Sequence, residues 1–136
     1  MSNKIVVTYT DGGARGNPGP AAYGVVVKDE KGQLLYSDGV YIGQTTNNQA
    51  EYQGLVAALQ VAKRLGATEV HCHLDSELIV KQMKREYKVK DPGLQVQFMK
   101  AWNLMNEFSK VTFTHVRREF NKEADAQVNL ALDKNT

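Results

Sequence analysis

Asp11, Glu51, Asp75 and Asp125 stand where an acid needs a reason to be. Asp11 ends the β-branched and aromatic run I-V-V-T-Y-T at residues 5–10, which reads as a strand buried on both faces. It sits in Y-T-D-G-G-A-R-G-N-P-G-P (9–20), a glycine-rich loop at a strand's carboxyl end, the edge of an α/β sheet where ligands bind. Asp75 ends the run E-V-H-C-H-L at 69–74 in the same way. Glu51 precedes Leu55 by four residues and so lies on the line of a helix's apolar stripe. Asp125 precedes Val128 and Leu132 at helical spacing. Each has an ordinary alternative: an Asp-Gly turn, a capping box from Asn48 to Glu51, an N-cap at Asp75, a dipole complement at Asp125. Together they are better explained by convergence on one sheet edge. If the strands ending in Asp11 and Asp75 are parallel neighbours, those ends lie about 5 Å apart. Two unit charges at about 4 Å repel by roughly 1 to 4 kcal/mol between water and a dielectric near 20, so such a cluster calls for cations. Carboxylate oxygens suit Mg²⁺ or Mn²⁺, and the lack of clustered cysteines argues against a structural zinc site.

The positioning elements follow from periodicity. Strands are expected at 5–10, 22–28 and 33–42, the last two joined by a hairpin turn at D-E-K-G (29–32). T-T-N-N (45–48) leads into a helix over 49–65 with Leu55, Leu59, Ala62 and Leu65 inward and Gly66 ending it. Next come a strand at 69–74, a short helix at 76–85, and a helix capped by Asp91-Pro92 that runs to about 108. A last strand at 111–116 and a helix from about 121 complete an α/β sheet of mixed direction with helices on its faces.

With 136 residues and 42% hydrophobic composition, one compact domain covering 1–136 is expected. The net charge of +2 announces no nucleic-acid binder, although a local basic surface is permitted. The single cysteine, Cys72, suits a reducing compartment. The polar start Met-Ser-Asn-Lys lacks a signal-peptide core and no run is long enough to span a membrane, so a cytoplasmic chain without membrane partners is expected. His71 and His73 are read as ordinary strand residues under a helix rather than a metal pair, and the Trp102 helix as core and flank rather than a base-stacking platform.

The separated motifs T-D-G-G-A-R-G-N-P-G-P-A-A-Y-G (10–24), T-T-N-N-Q-A-E-Y (45–52), L-D-S-E-L-I-V (74–80) and N-K-E-A-D (121–125) resemble the type 1 ribonucleases H over essentially the whole chain. The resemblance implies a ribonuclease H-like five-stranded mixed β-sheet flanked by helices on both faces. It implies Asp11, Glu51, Asp75 and Asp125 as catalytic residues and metal ligands, with two Mg²⁺ ions per site in the presence of substrate and Mn²⁺ as substitute. Asp11 would bridge both ions, with Glu51 and Asp75 toward the leaving group and Asp125 toward the nucleophile. The implied reaction is endonucleolytic hydrolysis of the RNA strand of an RNA/DNA hybrid, leaving 5′-phosphate and 3′-hydroxyl ends. The alternative is a hybrid- or RNA-binding module of the same fold with weak or no catalysis. Substrate-binding candidates by resemblance are Gly12, Gly13, Asn17, Asn47 and Asn48 toward the minor groove and Thr46 toward a DNA-strand phosphate.

The chain also departs from the pattern it resembles. It lacks the glycine-histidine loop, reading H-V-R-R-E-F-N-K-E-A-D from residue 115; His115 lies in the strand and does not inherit that role. Arg117 or Arg118 is the auxiliary candidate there, set against plain surface charge. Glu77 replaces the family's glutamine and puts one minor-groove contact in doubt; Gln44 and Asp91 stand at phosphate-pocket positions. The long basic handle is missing, leaving Lys81, Lys84, Arg85, Lys88 and Lys90, interrupted by Glu86, as either phosphate contacts or a solvated face. This compact pattern resembles the archaeal-type branch, in which double-stranded RNA is a further candidate substrate, and a monomer is expected.

Overall fold

The β-branched run at the amino terminus becomes the centre of the sheet. The computed structural model describes residues 3–136; Met1 and Ser2, the start of the polar amino terminus, lie outside it. The strands are β1 (Ile5–Ala14), β2 (Gly19–Asp29), β3 (Leu34–Thr45), β4 (Glu69–Leu74) and β5 (Lys110–His115). The helices are α1 (Asn47–Arg64), α2 (Glu77–Met83), α3 (Pro92–Met105) and α4 (Lys122–Asn135), with a 3₁₀ turn at Arg118–Phe120. The sheet order is β3-β2-β1-β4-β5, antiparallel on the β2 side of β1 and parallel on the β4 side. This is the mixed sheet expected.

Side-chain alternation along β1 and β2 sends apolar residues to both faces. One face buries Val6, Val25, Val27, Val70 and Leu74 under Tyr52, Leu55 and Leu59 of α1, with α3 packed on α1 rather than on the sheet. The opposite face carries α4, whose Val128, Ala131 and Leu132 cover Ala22. α4 lies across β1, β2 and β3 and stops short of β4 and β5. His71 and His73 are therefore not under a helix, contrary to expectation. His71 is held at the sheet surface by Thr112 Oγ1 (2.7 Å) and Glu69 Oε2 (2.6 Å), and His73 stacks on Tyr9 with ring centroids 4.8 Å apart.

The helix starts remove two of the alternative readings. Thr46, not Asn48, caps α1 by accepting the Gln49 N–H (3.2 Å), and Ser76, not Asp75, caps α2 by accepting the Ile79 N–H (3.3 Å). Asp91 caps α3 as expected, accepting from Gly93 and Leu94. Glu51 and Asp75 are thus free of capping duty. Among the described residues, no helix is long and apolar enough to cross a membrane.

Candidate active site

β1 outlasts its parallel partner. The β1–β4 ladder ends at the pair Thr10 and Leu74, so Asp11 and Asp75 are the first residues beyond it on adjacent strands. On the other side β1 continues against β2 as far as Ala14, so the glycine-rich segment is half strand rather than wholly loop. Its backbone amides find partners in β2 despite a composition that reads as a turn.

Glu51 reaches the same edge because α1 presses on β1 at Gly12. A Cβ at Gly12 would lie 2.4 Å from the backbone of Ala50 and Glu51, an approach only glycine allows. The Gly12 N–H then donates to both Asp11 Oδ1 (2.9 Å) and Glu51 Oε1 (3.1 Å), fixing the two carboxylates on one amide. Asp11, Glu51 and Asp75 each offer an oxygen, and these atoms lie within 4.8 Å of one another. Asp125, in the first turn of α4, lines the same depression, and its charge acts on Asp11.

Electrostatically the group is strained as a set of anions. Burial and then the charge of Asp75 push the Asp11 carboxyl up to about 7, against a downward pull from the Glu51 hydrogen bond and with lesser upward pushes from Asp125. Burial and the charges of Asp11 and Asp75 hold Glu51 well above the ordinary carboxylate range. Glu51 Oε2 is buried without a hydrogen-bond partner, an uncommon state for a carboxyl oxygen. An all-oxygen donor set with one unsatisfied buried acceptor fits a hard divalent cation and offers nothing to a soft one. Mg²⁺ or Mn²⁺ is accordingly expected to raise the melting temperature of metal-free protein by several degrees at pH 8, read by calorimetry; K⁺ at equal ionic strength should not.

Four of the six candidate substrate residues line this depression, and Asn17 and Thr46 do not. Gly13 lies against Val128 and, like Gly12, Asn47 and Asn48, lines it. Asn17 Oδ1 accepts the Asn47 N–H (3.0 Å) and Asn47 Oδ1 accepts the Ala14 N–H (2.7 Å), which leaves both side-chain NH₂ groups outside that network. Thr46 spends its hydroxyl oxygen on the α1 cap. Of the two candidate arginines, Arg118 lines the depression, whereas Arg117 faces Glu119 at 3.8 Å. Glu77 is turned away toward Lys81 (3.1 Å) and His115 (4.0 Å).

Two residues of the site went unread in the sequence. Asn129 Nδ2 donates to Asp125 O (3.2 Å) and Oδ2 (3.4 Å), an i, i+4 relation that helical spacing could have suggested. Asn121 is buried and its Nδ2 donates to Thr10 O (2.8 Å), tying the start of the Asp125 helix to the Asp11 strand. Its place at the head of N-K-E-A-D was the only signal.

Comparison with known proteins finds relatives over nearly the whole of this chain. A family profile described as Reverse transcriptase-like matches residues 9–131. Ribonuclease HI of Halobacterium salinarum is 42% identical over 128 residues, covering 94% of this chain and 64% of that protein. Its crystal structure superposes with a TM-score of 0.93 over 96% of this chain and 98% of that one. LC11-RNase H1, crystallised in complex with an RNA/DNA hybrid, is 48% identical with a TM-score of 0.91, covering 95% of this chain and 97% of that one. The bifunctional protein Rv2228c of Mycobacterium tuberculosis is 44% identical over 129 residues, but the chain spans only 35% of its length. Sheet order, carboxylate convergence and identity over nearly the whole of compact relatives agree, and the chain belongs to the type 1 ribonuclease H family.

Proposed function

We propose that this chain is a metal-dependent endoribonuclease that hydrolyses the RNA strand of RNA/DNA hybrids. The observation that carries this reading is the convergence of Asp11, Glu51 and Asp75 within 4.8 Å at one sheet edge, with a buried Glu51 oxygen unpartnered. Asp11, Glu51, Asp75 and Asp125 would hold Mg²⁺ or Mn²⁺. Bound cations there would supply Lewis acidity toward a phosphodiester and the positive charge that lets the four acids ionise together. The chain's own contribution is placement. The Gly12 amide fixes Asp11 and Glu51, Asn129 steadies Asp125, and Asn121 sets the α4 start against β1. Water adds to phosphorus as the bond to the 3′ oxygen breaks, leaving a 5′-phosphate and a 3′-hydroxyl.

Discrimination of hybrid from duplex DNA rests on the ribose 2′-hydroxyls and the minor groove. The NH₂ groups of Asn17 and Asn47, with Asn48 and the Gly13 backbone, would meet them; amides both donate and accept, which matches hydroxyls and base edges. The Gly12 N–H is committed to the carboxylates, so its share is close approach. The Thr46 hydroxyl proton remains for a DNA-strand phosphate. Arg118 supplies a cation at the rim where charge develops on the cleaved phosphate. Arg118→Ala is expected to lower kcat by about tenfold, or about 1.4 kcal/mol, with a folded protein by circular dichroism.

A fluorescently labelled hybrid incubated with Mg²⁺ or Mn²⁺ tests the whole reading. Cleavage confined to the RNA strand and abolished by chelation is the expected result. Tight hybrid binding without cleavage at any metal concentration would instead assign a binding module.

A further inference from the structure

Beyond the carboxyl-terminal end of α2 the chain turns through residues 84–91 into α3. The turn and the two helices enclose a depression of about 570 Å³, walled by Tyr87, Val89, Phe98 and Met99. Tyr87 and Met99 are each 49% exposed. Large apolar side chains grouped in this way mark interaction surfaces more often than isolated ones do.

The depression is preformed. Gln82, buried on α2, accepts the Tyr52 hydroxyl (2.5 Å) and donates to Lys88 O (3.4 Å), while Gln95 on α3 donates to Val89 O (2.8 Å). The Glu86 N–H closes the turn on Lys81 O (2.9 Å). A ligand there would not have to order the loop, which lowers the cost of binding.

Two cations, Arg85 and Lys88, line it, and no acid does. Residues 81–90 carry five cations and one acid, in a chain whose net charge is only +2. Lys84, Arg85, Lys88 and Lys90 have no carboxylate within 4.0 Å among the described residues. Cations alone would suit either phosphates or carboxylates; the apolar floor decides between them. A duplex presents sugars and phosphates outward and has no apolar group to fill such a cavity. An unpaired base would need an open aromatic face. Each of these rings already has a face engaged: Lys81 Nζ sits 4.9 Å over the Tyr87 ring, Arg85 lies 5.3 Å over Trp102, and Phe98 stacks on Trp102 at 5.8 Å.

We infer that this depression docks an acidic peptide segment of a partner protein, with one large apolar side chain seated between Phe98 and Met99 and flanking carboxylates on Arg85 and Lys88. Methionine accommodates anchors of varied shape, and the basic rim steers the acidic segment to them. The surface is separate from the carboxylate centre, so it stands or falls independently of the catalytic reading.

The test is fluorescence anisotropy at low salt, without divalent cation, using the full chain and a fluorescein-labelled hexapeptide Asp-Asp-Glu-Asp-Leu-Phe. Saturable binding is expected, weakened at least about tenfold when Leu-Phe is replaced by Ala-Ala and at least about tenfold by Met99→Asp or Tyr87→Ala. Met99→Leu should retain it, as should Asp11→Asn, and each variant is checked for an unchanged melting temperature. Equal binding of the two peptides would show charge attraction without an anchor and overturn the inference; so would indifference to both groove variants. A labelled RNA/DNA hybrid that loses affinity in step with Met99→Asp would reassign the groove to nucleic acid and overturn it as well.

Discussion

Asp11→Asn is expected to abolish hybrid cleavage, by at least about a thousandfold, while making the metal-free protein more stable. The loss follows because removal of a central anionic ligand forfeits several kcal/mol of transition-state charge stabilisation. The gain follows from the same crowding. In the folded chain burial and the neighbouring acids lift the Asp11 carboxyl to about 7, from an ordinary value near 4 when unfolded. Between those values the folded state binds more protons than the unfolded one, so stability falls as pH rises through this window. Below about pH 4 both states are protonated and the penalty vanishes. Above about pH 7 it is fully present, on the order of a few kcal/mol. Asparagine keeps the oxygen that accepts from Gly12 and cannot ionise. Calorimetry in chelator should therefore show the variant melting higher than the parent at pH 8, with the difference shrinking toward pH 4. Addition of Mn²⁺ should reverse the order by stabilising the parent. A variant that cleaves at the parental rate, or a difference that grows toward acid, would remove the metal-holding role given to Asp11.

That the acids could be picked out beforehand, while much of what holds them could not, has a physical basis. Asp11 and Asp75 follow uninterrupted β-branched runs, and an acid ending such a run is conspicuous; β4 falls at the residues expected, Glu69–Leu74. Asp91-Pro92 likewise declares its helix. The continuation of β1 to Ala14 was hidden because Gly12 and Gly13 carry a turn composition, and only pairing with β2 supplies the strand's hydrogen bonds. Thr46, Asn47 and Asn48 are all competent caps, so composition could not say which hydroxyl or amide would meet Gln49. Arg117 and Arg118 are indistinguishable until the 3₁₀ turn aims one of them into the depression. His71 and His73 were assigned a helix that lies elsewhere because alternation reports burial of a face without reporting what covers it.

The least legible feature is also the one whose removal should do most harm to the architecture of the site. Asp11, Gly24 and Gly39 are cross-strand neighbours on β1, β2 and β3, forming one row across the sheet. A Cβ at Gly24 would lie 2.2 Å from Ala124 O, and one at Gly39 would lie 2.2 Å from Gln127 O. The two glycines make a trough in which the backbone of α4 rests, and its depth brings Asp125 alongside Asp11. Neither glycine has a positive φ, so the constraint is proximity rather than conformation. Gly24→Ala is therefore expected to lift the start of α4 by roughly 1 Å, strain the Asn121 bond to Thr10 and cost about 3 kcal/mol of stability. Because a misplacement of that size in a catalytic group costs on the order of a hundredfold, kcat should fall about that much even at temperatures where the variant is fully folded. Denaturant titration and single-turnover cleavage measure the two effects separately. Hybrid affinity in chelator should stay near the parental value, since Asn17, Asn47 and Asn48 are set by β1 and α1 rather than by α4. A Gly24→Ala protein with parental stability and rate would show that α4 has room to spare and that the trough does not set the position of Asp125.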